Sequence, residues 1–284
     1  MIPRIAAVVI LFNPEESVIA NIQTYIQDVE TLYIFDNSPS SSKDVMRRIE
    51  CFPKIQYLTE NKNVGIGTAL NIAAKKAIEE HYDYFLTMDQ DSAAGQDMVK
   101  IMLSVANKYS SIGIVTPLHK VQNDILVAVK HEEESVLTAM TSGNLIQLAA
   151  YNKIGGFNEK LFIDYIDHEY CLRLHINGFS VMRANKAVLL HKVGDLMERN
   201  FFGIFVHPTN HNPARLYYQT RNRFYLKRLY GKNYPEYFKK DRKAFWKSVL
   251  KILLYEKHRL RKVVMICRGF IALWRNDFSS VPIL

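Results

Sequence analysis

Two carboxylates two residues apart, Asp89 and Asp91, sit in the stretch Thr87-Met88-Asp89-Gln90-Asp91-Ser92, directly after an apolar run. At a strand end such a pair can converge on one hard cation. Mg2+ and Mn2+ favour oxygen donors of this kind and can bridge them to a diphosphate. Acidic turns are common, so the pair carries weight through its position, at the end of a fourth alternating strand. Three earlier strand ends are also polar: Phe12-Asn13-Pro14, Asp36-Asn37-Ser38, and the stretch from Glu60 to Gly67 that holds Asn63 and Gly65. Asn, Asp, Ser and Gly make turns, which accounts for residues 39–42. A carboxylate at Asp36 can also accept from a nucleobase or a ribose hydroxyl. Gly65-x-Gly67 opens a helix, but Leu70 stands where a dinucleotide fingerprint has its third glycine, and the motif follows the third strand rather than the first.

A second acidic stretch, residues 161–173, precedes an apolar helix. Asp164 and Asp167 lie three apart at the helix start. Capping and the helix dipole explain one of them, and a carboxylate at a helix mouth beside a cleft is also placed to act as a general base. Glu169 and Arg173 have the i,i+4 spacing of an ion pair. His191 closes a later strand, where it serves either as a structural residue or as a ligand to metal or phosphate.

The elements that must position these residues alternate. Strands are expected at 5–11, 31–35, 55–58, 84–88 and 112–115, separated by helices at 15–27, before 50, 67–80 and 96–109. Such alternation implies an α/β, doubly wound, mostly parallel sheet with its ligand loops beyond the strand carboxyl ends. Shorter strands follow at 125–130, 135–140 and 145–148, then a helix at 166–176 stopped by Asn177-Gly178, and a strand at 180–190. From Asn212 the chain reads as helical, with breaks at Gly231 and Pro235.

With 284 residues the chain has room for one large domain and a smaller appended one. Cys51, Cys171 and Cys267 show no C-x-x-C spacing, which argues against a disulfide framework or a cysteine zinc site and fits a reducing compartment. The opening apolar run is too short for a span and lacks a cleavage pattern, so a cytoplasmic protein is expected. The net charge of +9 is unevenly spread: residues 201–284 hold 18 Lys/Arg and 4 Asp/Glu, and residues 1–200 hold 19 and 24. Two regions with different partners are therefore expected, 1–205 and 206–284.

Taken together, these stretches resemble glycosyltransferase family 2 on a GT-A fold, most closely bacterial rhamnosyltransferases of cell-surface polysaccharide synthesis, over about residues 4–230. Residues 9–13, Asp36-Asn37-Ser38, Asn61-x-Asn63-x-Gly65 through Asn71, Asp89-Gln90-Asp91, Ser142-Gly143-Asn144, residues 165–173, His191 and Tyr218-x-x-Arg221-Asn222 carry the likeness, in the family's order. The resemblance implies an inverting transfer from a nucleoside diphosphate sugar, dTDP-rhamnose first and UDP-linked hexoses as the alternative. The acceptor would be a growing saccharide, with a lipid-diphosphate-linked one among the forms the resemblance implies. It assigns Phe12, Asn13, Asp36, Asn63, Gly65 and Asp89 to the donor nucleotide, and Asp91 with His191 to Mg2+ or Mn2+. Asp164, Gly143, Asn144 and Arg221 fall on the sugar or acceptor side. Asp167 takes the base position; Ile166 stands where many members have a second carboxylate, which keeps Asp164 open as a substitute.

The basic aromatic region has two readings: helices packed within the protein with solvated basic faces, or an amphipathic surface drawn to anionic membrane. Two other classes share some of these features. A nucleotidyltransferase needs a Gly-rich basic loop near the amino terminus, and Phe12-Asn13-Pro14-Glu15-Glu16 is not one. A nucleic-acid-binding protein is compatible with the basic helices but leaves the strand-end residues unexplained, so no nucleic acid partner is expected. Oligomeric state is not legible.

Overall fold

Ile5–Leu11 (β1) carries no polar side chain and is buried at every position but Ile10, as a parallel strand covered on both faces requires. Thr31–Asp36 (β2) is buried throughout. These strands belong to a computed structural model that describes residues 3–39, 43–121, 131–191, 199–201, 204–206 and 212–281. Helix α1 (Ser17–Gln23) and a 3-10 turn link β1 to β2; then follow α2 (Lys43–Glu50), β3 (Ile55–Thr59), α3 (Ile66–Glu79) and β4 (Tyr84–Asp89). The next elements are β5 (Ser92–Ala94), α4 (Met98–Ala106), β6 (Ile112–Val121), β7 (Glu133–Ser135) and β8 (Asn144–Gln147). Helices α5 (Leu148–Ile154) and α6 (Ile166–Ile176) precede β9 (Ser180–His191).

The sheet runs β3-β2-β1-β4-β8-β6-β9-β5, with β7 also on β9. Strands β3, β2, β1 and β4 are parallel. Strand β8 lies antiparallel between β4 and β6, and β6 is parallel to β9. The order reverses beside β1, whose neighbours are β2 and β4. That makes the carboxyl ends of β1 and β4 a topological switch point, where open α/β sheets leave a ligand crevice. In register, Ile10 of β1 lies beside Asp89 of β4.

Three sequence expectations need correction. The 15–27 helix is shorter, because after Gln23 the chain tightens into the 3-10 turn Ile26–Asp28. The strand expected at 135–140 is confined to Glu133–Ser135; the Val136 amide makes one last bond to Val181, and the chain then leaves the ladder so that the Thr141 carbonyl accepts from Thr87. The strand expected at 145–148 is β8, and it gives way to α5 at Leu148. The strand expected at 125–130 lies outside the described residues. Helix α6 stops as expected: Gly178 takes φ +79° just beyond its end.

The chain divides into two compact units, Met1–Glu159 with Ile166–Lys192, and Lys160–Tyr165 with Val193–Leu284. The second contains the hairpin β10 (Arg199–Phe201) and β11 (Ile204–Val206) and three helices, α7 (Pro213–Tyr230), α8 (Pro235–Tyr255) and α9 (Arg259–Arg275). Asn212 caps α7 by accepting from the Ala214 amide at 2.9 Å, with Pro213 at the first helical position. Leu216, Phe245, Ile252 and Ile266 form this unit's core. Helices α7 and α9 meet at Gly269, where a Cβ would stand 2.7 Å from the Tyr217 carbonyl oxygen.

Candidate active site

The Asp89–Asp91 turn at the end of β4 is held from three sides. From β1, the Gln90 side-chain amide grips the main chain of Phe12: Oε1 accepts from the Phe12 N–H at 2.8 Å and Nε2 donates to its carbonyl at 3.2 Å. From α1, Asn21 donates to the Gln90 carbonyl at 2.8 Å, and Thr24 accepts from the Ala94 amide at 2.9 Å. From the turn before β8, the Ser142 hydroxyl accepts from the Asp89 N–H at 3.0 Å and donates to Ser92 Oγ at 2.9 Å. His119 of β6, as its Nε2–H tautomer, donates to the Ser142 carbonyl at 2.8 Å. Gly143 must be glycine on two counts: its φ is +81°, and a Cβ would meet Pro117 at 2.7 Å. Its amide bonds the Thr87 carbonyl. Asn144 is buried directly opposite Thr87. Tyr25 is buried near Asp89, and burial, together with that negative charge, pushes its hydroxyl well above the ordinary tyrosine range.

The neighbouring strand ends are tied into the same edge. The Asn13 amide bonds Ser38 Oγ at 2.8 Å, and Asn13 takes φ +47°. Asp36 is buried, accepting from the Ser38 amide at 2.9 Å and the Tyr57 hydroxyl at 3.1 Å. Asn37 accepts from the Val64 amide and donates to the Gly65 carbonyl. Asn63 accepts from the Gly65 amide at 2.9 Å, setting the φ +83° entry to α3. The structure thus brings Phe12, Asn13, Asp36, Asn63 and Gly65 together through short polar links. One turn into α3, Asn71 uses both ends of its amide on the segment before α6: it accepts from Tyr151 and the Phe157 amide and donates to the Phe157 carbonyl and Glu159.

Asp167 stands in the first turn of α6, partly exposed, with its carboxylate accepting from the His168 amide at 2.8 Å. Cys171, one turn on along the same helix face, bonds the main chain of Ala139, and burial pushes its thiol up to about 12. That face of α6 therefore meets the chain at Ala139, three residues before Ser142, whose hydroxyl supports Asp89. Glu169 and Arg173 form the expected i,i+4 pair at 3.0 Å, and Arg173 further binds the carbonyls of Ile154, Gly155 and Gly156.

Two candidates have their partners in the helical unit. Asp164 is turned to Arg215, which bonds both carboxylate oxygens at 2.9 to 3.2 Å, rather than to the end of α6. Arg221, expected near sugar or acceptor, is wholly buried: it binds the carbonyls of Lys160, Leu161 and Ser279 and lies against Tyr217, Tyr218 and Phe278. Asn222 donates to the carbonyls of Leu161, Ile163 and Asp164. The Tyr-x-x-Arg-Asn motif thus fastens the 160–164 strap, in which Phe162 and Asp164 hold positive φ, as does Tyr165 just after it. This placement serves the fold.

His191 ends β9, and its backbone lies opposite Ser92, next to Asp91. Among the described residues no cluster of three His, Cys, Asp or Glu side chains is assembled for a metal. The side chain of His191 lies outside that description. Two carboxylates nonetheless suit a hard cation, because Mg2+ is commonly held by one or two protein carboxylates plus phosphate oxygens and water. Gln90, Asn21, Thr24, Ser92 and His119 are support residues that sequence reasoning missed.

Comparison with known proteins gives three findings. A family model described as glycosyl transferase family 2 matches residues 8–174. The dTDP-rhamnosyl transferase RfbF of Shigella flexneri is 27% identical over 246 residues, covering 79% of this chain and 80% of that protein. Among solved structures, the mannosyltransferase PcManGT from Pyrobaculum calidifontis, in complex with GDP-Man and Mn2+, matches 97% of this chain and 88% of its own at TM-score 0.60 and 13% identity. GalNAc-T7 with UDP, GalNAc and Mn2+ matches 70% of this chain at TM-score 0.58 and 12% identity; the chain spans 44% of its length. At such identities the structural likeness is one of fold.

Proposed function

Because the chain belongs to glycosyl transferase family 2 and carries a GT-A fold, we propose that it is an inverting, divalent-metal-dependent transferase. It moves a sugar from a nucleoside diphosphate donor, dTDP-rhamnose first among them, to a growing saccharide acceptor. The observation that carries this reading is the Asp89–Asp91 turn, set at the switch point and clasped by Gln90 to Phe12. The name of the Shigella relative supports the donor, and the Mn2+ in the mannosyltransferase complex supports the metal.

In this reading Phe12, Asn13 and Asp36 receive the base and ribose, with Asn63 and Gly65 shaping the adjoining loop. Asp91, with His191, would hold Mg2+ or Mn2+, and Asp89 contacts the ribose or the same ion. A bound cation supplies Lewis-acid charge against the departing diphosphate. Asp167 accepts the proton from the acceptor hydroxyl as that oxygen attacks the anomeric carbon. The bond to the diphosphate breaks on the opposite face, so configuration inverts without a covalent sugar–enzyme intermediate. Gly143 and Asn144 lie on the sugar side, behind the metal turn. Residues 1–205 are assigned to catalysis and 206–284 to an appended helical region.

The test is a thermal-shift series with dTDP, UDP and GDP, each with and without Mg2+ or Mn2+, followed by transfer assays on Asp167→Asn. Stabilisation by dTDP only with metal is expected, and the variant should keep donor binding while losing transfer. Metal-independent binding of every nucleotide would sink the metal role, and full turnover by Asp167→Asn would remove that residue as base.

A further inference from the structure

The turn between α8 and α9 exposes leucines that the core of the helical unit does not use. Helix α8 buries Phe238, Phe245 and Ile252, spaced by seven, on one face. On the other side Leu250, Leu253 and Leu254 are 56%, 43% and 52% exposed, and Leu260 at the start of α9 is 84% exposed. Leu253 and Leu260 line one cleft of about 1040 Å3 at the turn, together with Lys257, Arg259 and Arg261. From Arg242 to Arg275 the sequence has one acid, Glu256, and it is buried against Lys262 at 2.5 Å. The surface around the leucines is therefore cationic, with no exposed carboxylate in that stretch.

We propose that this turn docks on an anionic lipid bilayer, seating the leucines among acyl chains and the Lys and Arg side chains among lipid phosphates. Peripheral binding of this kind needs two contributions together, apolar burial and charge attraction. Both are present within twelve residues of chain. A second copy of the same face is a poor occupant, because it would set like charge against like. A nucleic acid would satisfy the cations and leave the leucines wet. No helix among the described residues is long and apolar enough to cross a membrane, so the contact is peripheral. The proposal is independent of the sugar-transfer reading, since binding is measured without donor or acceptor.

Co-sedimentation of the full chain with vesicles of phosphatidylglycerol and phosphatidylcholine, against phosphatidylcholine alone, is the test. Binding to the anionic vesicles only, weakened by salt, is expected. The combined variant Leu253→Ser, Leu254→Ser, Leu260→Ser and the combined variant Lys251→Gln, Lys257→Gln, Arg259→Gln, Arg261→Gln should each lower partitioning about tenfold or more. Both tryptophans, Trp246 and Trp274, are exposed in this unit. Trp274→Phe leaves Trp246, one turn before Leu250, as the one tryptophan, excited selectively at the red edge of the absorption band; its emission should shift to the blue on anionic vesicles. Circular dichroism checks that the variants remain folded. Equal binding to both vesicle types, or folded variants that bind like the wild type, would overturn the proposal. So would a dimer in sedimentation velocity that the leucine variant abolishes, or copurifying nucleic acid that the charge variant releases.

Discussion

The sheet edge of the first unit and the α7 motif of the second use the same side chains for opposite ends. At the sheet edge, the turn is fastened largely through main-chain atoms: Asp89 by its amide, Gln90 by its carbonyl, Phe12 by both. In α7, Arg221 and Asn222 spend their side chains on carbonyls of the 160–164 strap and are wholly buried. An Asp, an Asn or an Arg in a motif does not by itself indicate a ligand contact. In α7 the donors of Arg221 and Asn222 are already committed to carbonyls inside the fold.

Substitutions can break that contrast. The largest effect is expected for Asp91→Asn, where transfer should fall about a thousandfold while the melting temperature stays near wild type, as loss of a metal-side carboxylate implies. Activity retained within a few-fold would end the metal assignment. Arg221→Ala should behave in the opposite way: stripping a buried charged side chain from its carbonyls costs about 3–5 kcal/mol, read as a lower urea midpoint. If its stability is unchanged and only transfer fails, the structural reading of α7 is wrong.

Smaller effects sharpen the comparison. Gln90→Ala removes two hydrogen bonds worth about 1 kcal/mol each, and donor KM should rise about tenfold with kcat less affected. Unchanged donor KM would mean that the clasp does not shape the nucleotide loop. Asp164→Asn should lose under about 1 kcal/mol, because Arg215 is 41% exposed. It should also retain transfer, and a folded but inactive Asp164→Asn would move the base role from Asp167 to Asp164. Last, a maleimide should label Cys51 and Cys267 in the native protein and spare Cys171, which is buried and held protonated; labelling of Cys171 before unfolding would contradict its burial.

Much of the fold was legible because its information is local. The uninterrupted apolar runs of β1 and β2, the stop at Gly178 and the break at Pro235 each follow from neighbouring residues. Short elements were harder: β8 has four residues and passes straight into α5, so a single apolar stretch hides the change of geometry. The acidic and Asn-rich strand ends were visible, and the family resemblance ordered them. Their supports were not. Gln90 reaches Phe12 across 78 positions and Ser142 reaches Asp89 across 53, and one sequence holds no record of which distant polar groups meet. Asp164 and Asp167 both read as helix-start carboxylates on paper; the structure gives Asp164 to Arg215 and leaves Asp167 in the first turn of α6.

The Gln90 clasp has a consequence for how such enzymes diverge. It holds Phe12 by the amide and carbonyl that nearly every amino acid possesses, so the side chain at position 12 is free to drift without loosening the acidic turn. On the proposed assignment of Phe12 to the nucleobase, preference for one base over another would be retuned by single substitutions there, with the acidic turn left in place.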